Sequence, residues 1–274
     1  PFALRALGVA QMAADLDVSA VATFQSLTSI VPRSAQAYYL LGQAQVGRGE
    51  QHHARASFQK ALKLKPGYLP AQVGLARLEL AMKEIPKARE LATRIQKRHP
   101  KLPLGYELDG DIYAASHHYD SAAKFYASAY QRHATRGLAI KRYQMLKKDG
   151  RISEALEALR QWLATSPKDI HTQLLLATAS LQTGRDQQAI TSYEKVLTTD
   201  RKNISALNNL AWLYRDADRT KALKYAKRAY ALVPERPEVM DTYGWLLVKN
   251  GDIRRGRSIL SAAVARAPEI AAIR

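Results

Sequence analysis

The sequence predicts an all-α protein, a right-handed α-superhelix (solenoid) of about eight helix–turn–helix units. Three observations carry this. Proline recurs at one interval: Pro32, Pro66 and Pro100 lie 34 residues apart, as do Pro234 and Pro268. Small and bulky residues keep step with it: Gly42 precedes Ala54 by twelve residues, Phe58 by sixteen and Pro66 by twenty-four. Those offsets also join Gly8 to Ala20, Phe24 and Pro32, Gly110 to Ala122 and Tyr126, and Gly244 to Gly256, Leu260 and Pro268. Turn-forming stretches, "RGE", "KDGR", "TGRD" and "NGD", fall midway between successive stops, where two helices would be joined.

Laid along the chain, the period gives units 1–34, 35–68, 69–102, 103–135, 136–169, 170–203, 204–236 and 237–270, forming a single array over 1–274. Each holds two antiparallel helices, A and B. Position 8 of helix A is small at Gly8, Gly42, Ala76, Gly110, Ala177, Ala211 and Gly244, which lets a neighbour approach closely. Position 20 of helix B is small throughout, from Ala20, Ala54, Ala88 and Ala122 to Ala155, Ala189, Ala222 and Gly256. Position 24 is a large apolar filler at Phe24, Phe58, Tyr126, Leu159, Tyr193 and Leu260. Proline at position 32 cannot continue helix B, so it ends the unit. One unit cannot bury its apolar face alone, so neighbours must stack.

Some positions depart from the pattern. Ala92 stands where an aromatic residue is common, and Tyr143 where a small one is expected, which marks a kink or looser joint. Two units are one residue short, one around His133 to Arg136 and one in "RDADRT". The stretches "HATRG" and "TTDRKN" lack the proline stop.

Net charge is +18 over 274 residues, which favours anionic partners such as acidic polysaccharide, nucleic acid or acidic proteins. The basic runs "KARELATRIQKRHPK", "KRYQMLKKDGR", "RTKALKYAKRAY" and "IRRGR" fall largely on helix B or in turns, so they form a broad field and not a slot. Cysteine is absent, which excludes disulfides and thiolate metal sites. No apolar run is long enough to span a bilayer. The chain opens at Pro1, at position 1 of a unit, and closes with "PEIAAIR", which reads as the start of a further helix A; the expectation is a piece of a longer array.

No enzyme is expected. The sequence holds no G-x-S-x-G, phosphate loop, H-E-x-x-H or dinucleotide glycine fingerprint. The pairs His52–His53, near Glu50, and His117–His118, near Asp120, have metal-ligand chemistry. They occupy different unit positions, as solvated turn histidines would. No cofactor is expected.

With its 34-residue period, small positions 8 and 20 and proline at 32, the chain resembles the tetratricopeptide repeat superfamily over nearly its whole length. The resemblance implies a protein or peptide partner held in a concave groove lined by helix A at positions 2, 5, 9 and 12. Carried onto this sequence, those positions are Tyr39, Gln43, Arg77, Glu107, Asp111, Gln144, Lys147, His171, Thr178, Asn208, Trp212, Arg215, Asp241, Trp245 and Val248. Trp212 and Trp245 share a position one unit apart, with Asn208 and Asp241 one helical turn before them. Rings beside polar side chains suit peptide or sugar binding, and the same rings also suit structural filling. The dicarboxylate clamp of chaperone-binding arrays is not reproduced: Asn209 fits it, but Leu174, Thr178, Glu238 and Thr242 stand where its other residues belong.

The stretches "NNLAWLY" and "DTYGWLLVKNGD" are further similar to the large tetratricopeptide lipoproteins of exosortase (PEP-CTERM) exopolysaccharide systems. That likeness implies a bacterial cell-envelope, periplasmic scaffold in polysaccharide export or protein sorting. The alternative is direct binding of an anionic polymer by the basic surface. The small-residue pattern argues against an RNA-reading repeat code.

Overall fold

The computed structural model describes residues 1–267. Pro268, read as the last stop, and the "PEIAAIR" stretch lie outside the described residues. Among the described residues sixteen α-helices follow one another: α1 (Phe2–Ala13), α2 (Asp17–Ile30), α3 (Ala35–Gly47), α4 (Gln51–Leu64), α5 (Leu69–Ala81), α6 (Ile85–Arg98), α7 (Leu104–Ala115), α8 (Tyr119–Arg132), α9 (Arg136–Lys148), α10 (Ile152–Thr165), α11 (Ile170–Gln182), α12 (Asp186–Thr199), α13 (Ile204–Leu213), α14 (Arg219–Leu232), α15 (Pro237–Lys249) and α16 (Ile253–Arg266). The architecture is an all-α helical repeat solenoid, with no strand among the described residues. By its contacts the chain divides into two compact units, 1–155 and 156–274.

Within residues 1–155 each helix from α1 to α9 packs on the next, and odd-numbered helices also touch, α1 on α3, α3 on α5 and α5 on α7. Within the second unit α11 to α16 pack in sequence, and α13 also touches α15. Helices A therefore pack side by side from α1 to α7 and again from α13 to α15.

The periodic small residues do a definite job. A Cβ built on Gly8 would lie 2.5 Å from the Phe24 ring, on Gly42 2.7 Å from Phe58, and on Gly110 2.5 Å from Tyr126. The ring at position 24 thus abuts the helix-A glycine of its own unit in these three pairs. At Ala92, which carries no ring, α6 lies close to the next helix A: a Cβ on Gly105 of α7 would meet the backbone nitrogen of Gln96 at 2.9 Å and the carbonyl of Ala92 at 3.1 Å. Tyr143 is buried within an unbroken α9.

The A–B turns share one geometry. Gly49, Gly150, Gly184 and Gly251 adopt φ of 79°, 79°, 68° and 92°, and Asp15, Lys83 and His117 occupy the same place with φ of 54°, 61° and 60°. In each, the next N–H reaches back to the carbonyl five residues earlier, as Glu50 does to Gln45 at 2.8 Å and Glu84 to Glu79 at 2.8 Å. This is the Schellman closure of helix A. The sequence announces it only where glycine stands. The short α13–α14 connection is built differently: Asp218 N–H returns to Tyr214 at 2.9 Å and the Asp218 carboxylate accepts from Lys221 N–H at 2.9 Å. The two junctions without a proline stop still start the next helix with a side-chain cap, as Ser34 and Asp169 do after Pro32 and Pro167. Thr135 Oγ1 caps α9 by accepting from Leu138 N–H at 3.2 Å, and Asn203 Oδ1 caps α13 by accepting from Ala206 N–H at 3.1 Å.

A buried carboxyl on α7 has no cationic partner within salt-bridge distance among the described residues. Asp109 on α7 is 5% exposed; Gln96 donates to its Oδ2, while its Oδ1 is buried without a partner. Burial pushes its acidity down, raising the pKa above the usual carboxylate value, against the opposing pull of Gln96 and Arg89. A carboxyl whose folded pKa lies above its unfolded one stabilises the fold only as it takes up a proton, so that contribution is present at low pH and lost as pH rises. Asp109→Asn is therefore expected to stabilise the protein at pH 7 by about 1–2 kcal/mol. The gain should shrink as pH falls through the raised value. Urea denaturation of both proteins from pH 4 to 7 checks this; a gain that does not vary with pH contradicts it.

Candidate functional site

In the first compact unit the predicted helix-A positions resolve into two clusters. Tyr39 is half-buried, its ring 6.0 Å from Phe58 and 5.8 Å edge-on from Tyr68. Gln43, one turn further along α3, hydrogen-bonds its hydroxyl, and Arg77 of α5 lies within electrostatic reach. Burial, with Tyr68 second, holds the Tyr39 phenol above its ordinary pKa. Arg77 is exposed. Lys65 lies 5.6 Å from the centre of the Tyr68 ring, so the cluster joins two cations to its aromatic rings.

The second cluster surrounds Lys141 of α9. Its Nζ donates to Glu107 at 2.8 Å and to Asp111 at 2.7 Å, both on α7, and lies 5.4 Å from the centre of the Tyr126 ring. The Tyr126 hydroxyl also donates to Asp111 at 2.7 Å. Burial, reinforced by Asp111, pushes the Tyr126 phenol far above its ordinary pKa. Burial works against the Lys141 ammonium, but the hydrogen bonds to Asp111 and Glu107 outweigh it and raise its pKa. The two acids that sequence reasoning placed in the groove are thus committed to an internal cation. Lys141 itself was missed. It stands 34 residues after Glu107, so the repeat period was the signal. Counting positions afresh from Arg136 hid it. Gln144 and Lys147 of α9 are exposed.

In the second unit the C-terminal positions come together. The Trp212 and Trp245 rings lie 5.9 Å apart at 52°. Arg215 sits 4.1 Å over the Trp212 ring, and Lys249 5.3 Å from the centre of the Trp245 ring. The four side chains alternate as cation, indole, indole, cation. Arg215 also donates to the Trp212 carbonyl at 2.9 Å, which fixes its guanidinium. Both indoles are partly exposed, and Trp245 rests on a core of Met240, Tyr243, Leu246 and Ile259. Asn208 Oδ1, one turn before Trp212, is buried and has no hydrogen-bond partner. Asp241 is half-buried one turn before Trp245. Lys249 was missed, although it follows Trp245 by the four residues that bring helical neighbours together.

Other predicted positions do not join this site. Val248 packs on α16, where a Cβ at Gly256 would lie 2.6 Å from its methyl. Thr178 shares a hydrogen bond of 3.1 Å with Tyr193, and His171 is exposed. The histidine pairs are exposed, His52 and His53 at the start of α4 and His117 and His118 in the α7–α8 turn: His117 bonds Tyr119 at 2.8 Å, and His53 faces Glu50 at 3.5 Å. Among the described residues no three histidine, cysteine or acidic side chains are grouped to hold a metal, and no helix is long and apolar enough to cross a membrane.

Two family profiles described as tetratricopeptide repeat match the sequence, one at residues 52–108 and 146–213 and the other at 35–68. No curated protein matches it. Among solved structures, the C-terminal part of a TPR repeat-containing protein from Cytophaga hutchinsonii is similar at 15% identity and a TM-score of 0.64, covering 87% of this chain and 98% of that one. MamA is similar at 15% identity and a TM-score of 0.50, covering 59% of this chain and 96% of that one. At such identity these likenesses establish the fold alone.

Proposed function

Because the chain belongs to the tetratricopeptide repeat family, we propose that it is a non-catalytic scaffold holding a protein or peptide partner against the α13–α15 face. The observation that carries this reading is the paired indoles of Trp212 and Trp245, partly exposed and flanked by Arg215 and Lys249. Aromatic rings contribute contact area at low entropic cost, and tryptophan with arginine is the usual make-up of binding hot spots.

The proposed setting is the bacterial cell envelope, periplasmic, in exopolysaccharide export or protein sorting. Its support is the likeness of "NNLAWLY" and "DTYGWLLVKNGD" to lipoproteins of exosortase systems. Those two stretches are the ones that carry the tryptophans. The net charge of +18 supports a second reading, in which the exposed basic side chains bind an anionic polymer directly.

Truncating one indole at a binding hot spot typically costs about 1–3 kcal/mol, so Trp245→Ala should lower partner affinity at least about tenfold. The exposed Lys227→Ala on α14 should leave it unchanged. Quantitative affinity purification from the envelope fraction of the host, with wild type and both variants as bait, reads this directly. A partner lost only with Trp245→Ala, at unchanged melting temperature, supports the groove. Equal recovery on all three baits counts against it.

A further inference from the structure

A second site, with none of the tryptophan-face residues in its lining, lies between α10 and α12. A cavity of about 600 Å³ opens there over α11. Its origin is visible in the repeat register. In the first two units, positions 11 and 23 are joined by a side-chain bridge: Thr23 Oγ1 donates to Gln11 at 2.8 Å, and Ser57 Oγ to Gln45 at 2.7 Å. The α11–α12 pair carries Ser180 and Ser192 at those positions, both lining the cavity. Two serines are too short to reproduce the bridge. Ser180 is fully buried and its Oγ has no hydrogen-bond partner. Its hydroxyl lies beneath the cavity floor, and the space above it stands where the first two units carry the bridging glutamine.

The walls define that ligand. Gln173, Gln187 and Gln188 present amides, each able to donate and accept. Leu163 and Leu176 supply an apolar strip. Both charged lining residues, Arg160 and Lys195, are cations, and no carboxylate lines the cavity. Arg160 is oriented by Gln188 at 2.7 Å and by Glu157 of its own helix at 3.2 Å. No aromatic ring lines the cavity, so it lacks the flat platform on which a sugar ring would stack. We propose that this cavity is a second recognition site, one that takes an extended peptide segment bearing an acidic side chain. The glutamine amides pair with peptide groups, the leucines hold an apolar residue, and Arg160 and Lys195 receive the carboxylate. The site is separate from the tryptophan face, so either assignment stands if the other fails.

The test uses isotope-labelled protein and two synthetic heptapeptide pools, identical except that one has glutamate and the other glutamine at two fixed positions. Nuclear magnetic resonance follows the side-chain amides of Gln173 and Gln188. The glutamate pool is expected to shift them and the glutamine pool, at equal concentration, to leave them in place. Arg160→Glu with Lys195→Glu, both at the surface, should weaken the glutamate pool at least about tenfold. Ser180→Gln restores the bridge present in the first units, closes the cavity and should abolish the shifts while the protein stays folded. Trp212→Ala should change nothing. The proposal is overturned if both pools shift the amides equally, or if the shifts survive charge reversal. It is also overturned if the pool perturbs only the tryptophan face, or if oligogalacturonate shifts these amides and the glutamate pool does not.

Discussion

Replacing Phe58 with alanine is expected to cost about 3–5 kcal/mol, the range for losing a fully buried aromatic side chain, and to fall at its upper end. Phe58 is 1% exposed, and it is wedged between two helices A. A Cβ at Gly42 of α3 would lie 2.7 Å from the ring, and one at Gly74 of α5 would lie 3.0 Å from it. Two of the surfaces that meet the ring are therefore glycine, which has no side chain to lean in. Much of the cost of such a substitution reflects how little the site can collapse. The claim has a sharper form in a double-mutant cycle. Gly42→Ala alone should destabilise by about 1–3 kcal/mol, because the added methyl overpacks against the ring. In the Phe58→Ala background the clash is gone, and the same change should be neutral or stabilising, helped by the helix preference of alanine, about 1 kcal/mol. Urea denaturation measures both. Additive effects would contradict the wedge.

Removing Arg55 is the second large effect. Arg55 of α4 holds Glu79 of α5 through two hydrogen bonds, 2.9 Å and 2.5 Å long, and the Glu79 side chain is only 3% exposed. Arg55→Ala strands a buried carboxylate, which costs about 3–5 kcal/mol when nothing replaces the partner. Glu84 also approaches Arg55, at 3.9 Å, but is 41% exposed and can turn to solvent. The converse change, Glu79→Gln, leaves an arginine that is already 20% exposed and able to hydrate, so it should cost much less. The double variant Arg55→Ala, Glu79→Gln should recover most of the loss. Thermal denaturation of the four proteins reads the asymmetry. Equal costs for the two single changes would mean that the pair is not buried in the sense argued.

These two effects differ in how far the sequence announces them. Phe58 and Gly42 stand at positions 24 and 8 of one unit, so their pairing follows from the 34-residue period once helix A is laid on helix B. Period, turns and helix order are set by local chemistry that repeats. Arg55 and Glu79 have no such signature. Glu79 takes the position filled by Gln45 one unit earlier, and its burial depends on an arginine reaching across from the preceding unit. Left-handed turn residues were legible at Gly49 and Gly184 but not at Lys83 or His117, where the turn imposes a conformation that the side chain does not favour.

The candidate site was half legible for the same reason. Trp212 and Trp245 share a unit position, and stacking of adjacent units brings their rings together. Glu107 and Asp111 were read as groove acids because their partner, Lys141, lay outside the positions counted. Which charges are spent inside the fold depends on side-chain reach, and a one-residue shortening near Arg136 was enough to hide it.

The central claim is that a protein partner lies on the tryptophan face. The direct measurement is site-specific photo-crosslinking in the native host, with one probe at Lys249 beside Trp245 and one at Lys227 on α14. Crosslinked species are identified by mass spectrometry. The account predicts one defined protein captured at Lys249, absent at Lys227 and lost when Trp212→Ala is added. Capture at Lys227 alone, of polysaccharide or nucleic acid, would contradict it and make the basic surface the functional one.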